Sequence, residues 1–218
     1  MKDTQADKAY SILKKKITNQ ELRQGTAIVA SEIAAELNMS RTPIREALRR
    51  LDSDGLLEII PQKGTYIRAF NITDLIGLYE IAEGLEGIVA CLVAEKMQNK
   101  EIDPESINYL ELKIEEMDNL GGESSYQLWS EADALFHKKL YSLSKNDFIM
   151  NTLIRIRTQL NITLLNVIPS YMDVKKSNEE HKALFEAIKS GEPEKARQIN
   201  QNQHNRVRNS LLKHSGKK

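Results

Sequence analysis

Apolar positions recur at helical spacing in short blocks up to about residue 53 and in longer blocks after residue 71, with a brief β-rich stretch between. Tyr10, Leu13 and Ile17 share one face of a helix over about residues 5–20, whose outer face carries Lys14, Lys15 and Lys16. A second, short helix runs from about Ser31, a candidate N-cap, to Leu37, with Ile33, Ala34 and Leu37 inward. Asn38-Met39-Ser40 then reads as a tight turn, because asparagine tolerates the left-handed backbone and Ser40 is placed to cap the next helix by accepting an N–H. That third helix, Arg41 to about Ser53, buries Ile44, Ala47, Leu48 and Leu51 and stops at Asp54-Gly55. Leu57–Ile60 and Thr65–Arg68, rich in β-branched residues, flank Pro61-Gln62-Lys63-Gly64 and read as a hairpin with a four-residue loop.

Beyond Asn71 the strand signal vanishes. Asn71-Ile72-Thr73-Asp74 has the form of a capping box and opens a long helix to about Met97, with Leu75, Leu78, Ile81, Leu85 and Val89 inward. Further helices follow at about 104–119, 124–143, 146–168, 175–190 and 193–212. They are separated by Asp103-Pro104, Gly121-Gly122, Lys145-Asn146, Pro169-Ser170 and Gly191-Glu192-Pro193. The expected fold is mainly α: a winged helix-turn-helix of three helices and a β-hairpin over residues 1–70, then an all-α six-helix bundle over 71–218.

Composition narrows the class. With 40% apolar and 28% charged residues the chain is ordinary globular material. The single cysteine, Cys91, sits in an apolar run, so no internal disulfide forms and a buried thiol in a reducing compartment is expected. The N-terminus lacks a signal-peptide pattern, and no stretch approaches the roughly 18 apolar residues that span a bilayer. The expected location is cytoplasmic, with no membrane partner.

Net charge is zero but unevenly divided: residues 1–70 hold 12 basic and 9 acidic side chains, leaving +3 there and −3 in the rest. Arg41, Arg45 and Arg49 recur every fourth residue and so stripe one helical face. Alone, such a stripe is usually a solvated face. Behind a short helix and turn, and beside a basic hairpin tip at Lys63, it matches a helix that enters the DNA major groove, where arginine pairs bidentately with guanine. Ser40, Thr42 and the free amides at the helix start suit phosphate oxygens.

The run Ser40-Arg41-Thr42-Pro43-Ile44-Arg45-Glu46-Ala47-Leu48-Arg49-Arg50-Leu51, with Asp54-Gly55-Leu56 and Lys63-Gly64 behind it, closely resembles the DNA-binding signature of the GntR family of bacterial transcriptional regulators, over essentially all of residues 8–68. The resemblance implies that Arg41, Thr42, Arg45 and Arg49 contact the operator and that Gly64 lies at the wing tip near the minor groove. Ser31 stands where many relatives have an arginine, which implies a missing phosphate contact.

Common enzyme motifs are absent from the second half: no GxGxxG, phosphate loop, nucleophile elbow or metalloprotease signature occurs. Asp133 and His137, four residues apart, share a helical face and form a workable pair of metal ligands, although such a pair is more often merely a surface one. His181 and His204 fall in two other helices of the same expected bundle. Trp129 and Phe136 are expected in the core, and the polar tail from Lys213 is expected to fray.

This half resembles the FCD ligand-binding domain of FadR-type GntR regulators. The resemblance implies a divalent metal on Asp133, His137 and two later histidines, with a small carboxylic acid effector bound beside it. His181 matches directly. For the last ligand the family spacing falls on Gln203, one residue before His204, and one residue turns a helix by about 100°, so either the loop at Gly191-Glu192-Pro193 absorbs the offset and His204 is the fourth ligand, the favoured reading, or the site has three protein ligands. Ala82 stands where relatives often carry an effector-binding arginine, which argues against a simple dicarboxylate. Zinc, nickel or manganese suit one carboxylate and three imidazoles.

Taken together these features describe a homodimeric regulator, not an enzyme, whose near-palindromic operator matches its two-fold axis and whose DNA affinity answers to an organic or sugar acid. Two other readings are a metal-dependent hydrolase with a vestigial winged helix, for which no general base is identifiable, and a winged helix that binds protein instead of DNA.

Overall fold

The computed structural model describes residues 3–120, 125–167 and 173–215. The elements are α1 (Gln5–Thr18), β1 (Ala27–Ile28), α2 (Ala30–Glu36), α3 (Arg41–Ser53), β2 (Leu57–Ile60), β3 (Gly64–Ile67), α4 (Ile72–Gln98), α5 (Pro104–Asn119), α6 (Tyr126–Leu143), α7 (Asp147–Val167), α8 (Val174–Lys189) and α9 (Pro193–Ser215). They fall into two compact units: residues up to Asn71 together with Asn161–Asn166, and Ile72–Leu160 together with the rest. The fold is the mainly helical one expected, with a winged helix-turn-helix preceding a helical domain.

In the first unit α1 opens on a reciprocal cap. The Asp7 amide donates to Thr4 Oγ1 at 3.1 Å and the Thr4 amide donates to Asp7 Oδ2 at 3.0 Å, satisfying two amides that a helix start leaves orphaned. Helix α2 starts at Ala30 with Val29 in the cap position, so Ser31 lies inside the helix and is not its N-cap. Asn38 adopts φ 51°, as the turn requires. Ser40 occupies the cap position of α3, yet its side chain makes no capping hydrogen bond, contrary to expectation. Gly55, at φ 73°, ends that helix in the left-handed conformation glycine adopts most cheaply.

The sheet has order β1-β3-β2 and is antiparallel throughout, with Ala27 opposite Tyr66, Leu57 opposite Ile67 and Ile60 opposite Gly64. Because Gly64 pairs within the ladder, the hairpin connection is Pro61-Gln62-Lys63, one residue shorter than expected, with Gln62 at φ 64°. The two-residue β1 was not foreseen, being too short to show alternation. Leu13, Ile17, Ile33, Ile44, Leu48, Leu51, Leu56, Leu57 and Ile67 are among the residues of the buried cluster. Helices α1 and α3 are also joined by polar contacts. The Tyr10 hydroxyl donates to Asp54 at 2.5 Å, the Arg50 guanidinium lies 4.3 Å from the centroid of the Tyr10 ring, and Arg50 Nη1 donates to Asp7 at 2.7 Å.

The second unit contains α4, α5, α6, α8, α9 and α7 as far as Leu160, and all six helices lie close to the spans expected. Asp103 caps α5 through the Ser106 amide and Asp173 caps α8 through the Lys176 amide. Trp129, Phe136, Tyr141, Leu153 and Phe185 are buried. On α4 the inward face is set by Leu75, Tyr79, Ala82, Glu86, Val89, Ala90, Val93 and Ala94, so Leu78 and Leu85 are only half-buried and Ile81 is 53% exposed. The expected inward set followed apolar residues alone and missed that a glutamate holds a core position. Cys91 is half-buried, its thiol 3.5 Å from the Pro193 carbonyl, and burial pushes that thiol up. Helix α9 continues to Ser215, past the expected start of fraying at Lys213. The breaks expected at Gly121-Gly122 and Pro169-Ser170, and the tail Gly216–Lys218, lie outside the described residues. Among the described residues no helix is long and apolar enough to cross a membrane.

The turn between α8 and α9 depends on Gly191, which has φ 66° and would place a Cβ 3.1 Å from Gln98 Cβ and 3.3 Å from Gln98 Cα. Gly191→Ala is therefore expected to destabilise the protein by about 1–3 kcal/mol, read as a lower urea midpoint with an unchanged slope.

Candidate functional site

The first unit presents the three arginines of the expected stripe together. Arg41, Arg45 and Arg49 are exposed on α3, and among the described residues none of them makes an ion pair. Their inward counterparts Ile44, Ala47, Leu48 and Leu51 are buried, which fixes the rotation of the helix and aims the stripe at solvent. Arg50, next in sequence, is turned about 100° further round and is occupied by Asp7 and Tyr10. Ser40 and Thr42 are exposed at the N-terminal end of α3, and with no capping bond from Ser40 the helix's first amides remain open to an anion. Lys63 and Gly64 are exposed at the hairpin.

The second unit brings chemistry-bearing residues into its interior. Asp133 and His137, one turn apart on α6, meet His181 from α8, and all three are buried. Their facing atoms are close: His137 Nε2 to His181 Nε2 is 2.9 Å, His181 Nε2 to Asp133 Oδ1 is 3.1 Å, and His137 Nε2 to Asp133 Oδ1 is 3.5 Å. Ligand atoms about 2.0–2.1 Å from one ion stand about 2.9 Å apart at octahedral angles and about 3.4 Å apart at tetrahedral ones, so this triangle has the size a single divalent cation needs.

The His181 tautomer agrees with that use. His181 Nδ1–H donates to the Ser177 carbonyl at 2.7 Å, which leaves the Nε2 lone pair facing the triangle, the outer-shell arrangement typical of metal-ligating histidines. Burial, with the nearby Arg157 cation, pushes His137 down to about 4, so its imidazole is neutral at physiological pH. Its Nδ1 is buried without a hydrogen-bond partner, 4.0 Å from Glu86 Oε1.

His204 is buried whereas Gln203 is only half-buried, so of the two it is the histidine that faces the bundle interior. It does not join the triangle: its Nε2 is 2.8 Å from Glu86 Oε2, and its Nδ1 is buried and unpartnered. While Nε2–H donates to that carboxylate, Nε2 has no free lone pair for a cation.

Two residues of this centre escaped the sequence reading. Arg157, from α7, donates through Nη1 to Asp133 Oδ2 at 2.7 Å and through Nε to Glu86 Oε1 at 3.2 Å and to the Tyr141 hydroxyl at 2.8 Å. Glu86, from α4, also accepts from the Tyr141 hydroxyl. Burial alone would raise both carboxyls, but Arg157 and the adjacent histidines outweigh it and hold Glu86 and Asp133 well below the usual carboxylate range. Ala82, one turn before Glu86, is fully buried on the same face of α4. The available signal was a charged residue in an otherwise inward apolar stripe, which Glu86 supplies at the spacing of Ala82, Val89 and Val93.

Residues 5–67 match the family model for bacterial regulatory proteins of the gntR family, and residues 77–204 match that for the FCD domain. The chain belongs to the GntR family of regulators. The HTH-type transcriptional regulator YdhC of Bacillus subtilis (strain 168) is 30% identical over 193 residues, covering 87% of this chain and 83% of that protein. A probable D-xylose utilization operon transcriptional repressor of Paenarthrobacter nicotinovorans is 26% identical, with 88% and 82% covered. The solved structure of E. coli McbR/YncC superposes with a TM-score of 0.76 at 21% identity, covering 99% of this chain and 100% of that one, a likeness of fold. The matched families and relatives are transcriptional regulators, not enzymes, and give the hydrolase alternative no support.

The buried centre makes stability depend on pH in a defined sense. His137 has a lower proton affinity folded than unfolded, so between about 6.5 and about 4 the unfolded chain binds the extra proton. The depressed carboxyls act in the same sense at lower pH. Chelator-treated protein is expected to lose stability steadily as pH falls from about 6.5, and His137→Gln to flatten that part of the profile, in urea titrations across the range.

Proposed function

We propose that this GntR regulator binds a double-stranded operator as a homodimer, through the face formed by Ser40, Arg41, Thr42, Arg45 and Arg49 with Lys63 and Gly64, in the cytoplasm. Residues 1–70 serve as the DNA-binding domain and residues 71–218 as the effector-binding and dimerisation domain. The observation that carries the DNA reading is the exposed arginine stripe on a helix whose buried side is fully used by its own core. Arginine in this position reads guanine edges in the major groove, Ser40 and Thr42 suit phosphates at the helix start, and the wing supplies Lys63. A two-fold axis in the protein calls for a near-palindromic site.

We further infer that the buried triangle takes a divalent cation of the zinc, nickel or manganese class through Asp133 Oδ1 and the Nε2 atoms of His137 and His181. His204 stands one interaction away on Glu86 and is available as a fourth ligand once that bond is exchanged. The metal would supply a Lewis-acidic point for an oxygen of the effector, an organic or sugar acid. Support comes from the size of the triangle, the tautomer set by Ser177 and the neutral His137. Control of DNA affinity then requires the effector to favour one arrangement of the regulator over another, typically by about 1–3 kcal/mol.

Selection of bound DNA from a random pool is expected to yield one near-palindromic sequence. Arg41→Ala or Arg45→Ala is expected to weaken that binding about tenfold to hundredfold and to lower the salt slope while leaving the melting temperature unchanged. Failure to select any DNA would instead favour a protein-binding winged helix, and equal affinity of both variants for selected DNA would place the interface elsewhere. Zinc added to chelator-treated protein is expected to raise the melting temperature, by an amount equivalent to about 2.7 kcal/mol at a hundredfold excess over Kd. Asp133→Asn and His181→Gln should abolish that increase.

A further inference from the structure

Asp133 has two carboxylate oxygens, and they are used differently. Oδ1 faces the two imidazole nitrogens at 3.1 and 3.5 Å, whereas Oδ2 accepts from Arg157 Nη1 at 2.7 Å. The same guanidinium engages Glu86 Oε1 through Nε, and Glu86 spends its other oxygen on His204. A carboxylate facing a divalent cation with both oxygens free often chelates it, and a second acidic side chain within reach competes for the remaining positions. Here a planar cation from α7 holds one oxygen of each acid. Arginine suits this task because its donors project in a fixed fork, so one side chain orients two carboxylates at once.

We propose that Arg157 is a positioning residue of the buried cation site, one that restricts Asp133 to a single ligating oxygen and keeps Glu86 on His204, so that coordination positions stay open for an external ligand. The inference rests on the metal reading above and concerns how the site is kept incomplete. Loss of Arg157 frees Asp133 Oδ2 and releases Glu86, and the protein then fills positions that an effector oxygen would take. Tyr141, which donates to Glu86 and accepts from Arg157 Nε, holds the same fork from α6.

The test is the infrared difference spectrum of full-length protein, zinc-loaded minus chelated, for the wild type and for Arg157→Met, Arg157→Lys and Asp133→Asn. A carboxylate bound through one oxygen has widely split antisymmetric and symmetric stretches, and chelation through both oxygens narrows that splitting. The wild type is expected to show one wide-split carboxylate pair that disappears in Asp133→Asn. In Arg157→Met the pair should collapse to the narrow splitting and a second metal-sensitive carboxylate, Glu86, should appear. Arg157→Lys keeps a half-buried cation but has no fork to bridge both acids. Its spectrum should move part of the way, and it remains readable where the methionine variant does not fold.

Zinc-binding variants with the wild-type splitting at position 157 would overturn the inference while leaving the metal site standing. A wild type that binds no zinc, with no metal-dependent bands at all, would instead remove the metal reading itself. A purely structural role for Arg157 predicts lower melting temperatures for both variants with unaltered carboxylate bands, and that outcome also counts against the proposal.

Discussion

A half-buried guanidinium held between two buried carboxylates is the constraint on which the second unit depends. Taking such charges out of water costs several kcal/mol per ion, and the attraction between them offsets that cost only when every partner is in place. Arg157, Asp133, Glu86 and Tyr141 meet that condition with contributions from three helices, α4, α6 and α7, while His181 and His204 bring in α8 and α9. Removing one partner from such a set typically costs about 3–5 kcal/mol, because the group left behind stays buried and charged. The cluster therefore fixes how the helices are rotated more than it adds to net stability, and it also fixes which atoms of Asp133, His137 and His181 face one another.

Most of the fold was legible because apolar periodicity reports directly on burial. All six bundle helices follow it, as do α1 and α3, and left-handed backbone at Asn38 and Gly55 falls where the turn chemistry placed it. The failures have a common origin in polar groups at positions where apolar ones were assumed, or the reverse. On α4 the apolar residues were assigned inward and Ile81 with them, but the true inward face turns toward Glu86, a residue that no hydrophobic pattern selects. Ser31 and Ser40 were assigned capping bonds from residue type alone, and neither makes one.

The candidate site divides in the same way. Asp133 and His137 are readable because a separation of four residues forces a shared face, and His181 because it falls in another helix of the bundle and matches the FCD pattern directly. Which of Gln203 and His204 turns inward depended on the exact phase of α9, and burial favours His204. Arg157 was beyond reach, since on a helix with Arg155 nearby nothing in the sequence separates a solvated arginine from one that enters the core. The three stripe arginines are a contrasting case: their spacing alone distinguishes them from Arg50, which belongs to the same basic run but to a different face.

That divergence bears on where the chain can be altered. Arg50 stacks on Tyr10 and pairs with Asp7, the residue whose backbone and side chain also close the first turn of α1 on Thr4. The first turns of α1 thus brace α3 from behind. A fusion tag or proteolytic nick that unravels the first turn would loosen the footing of α3, without touching any of the exposed arginines on its outer face.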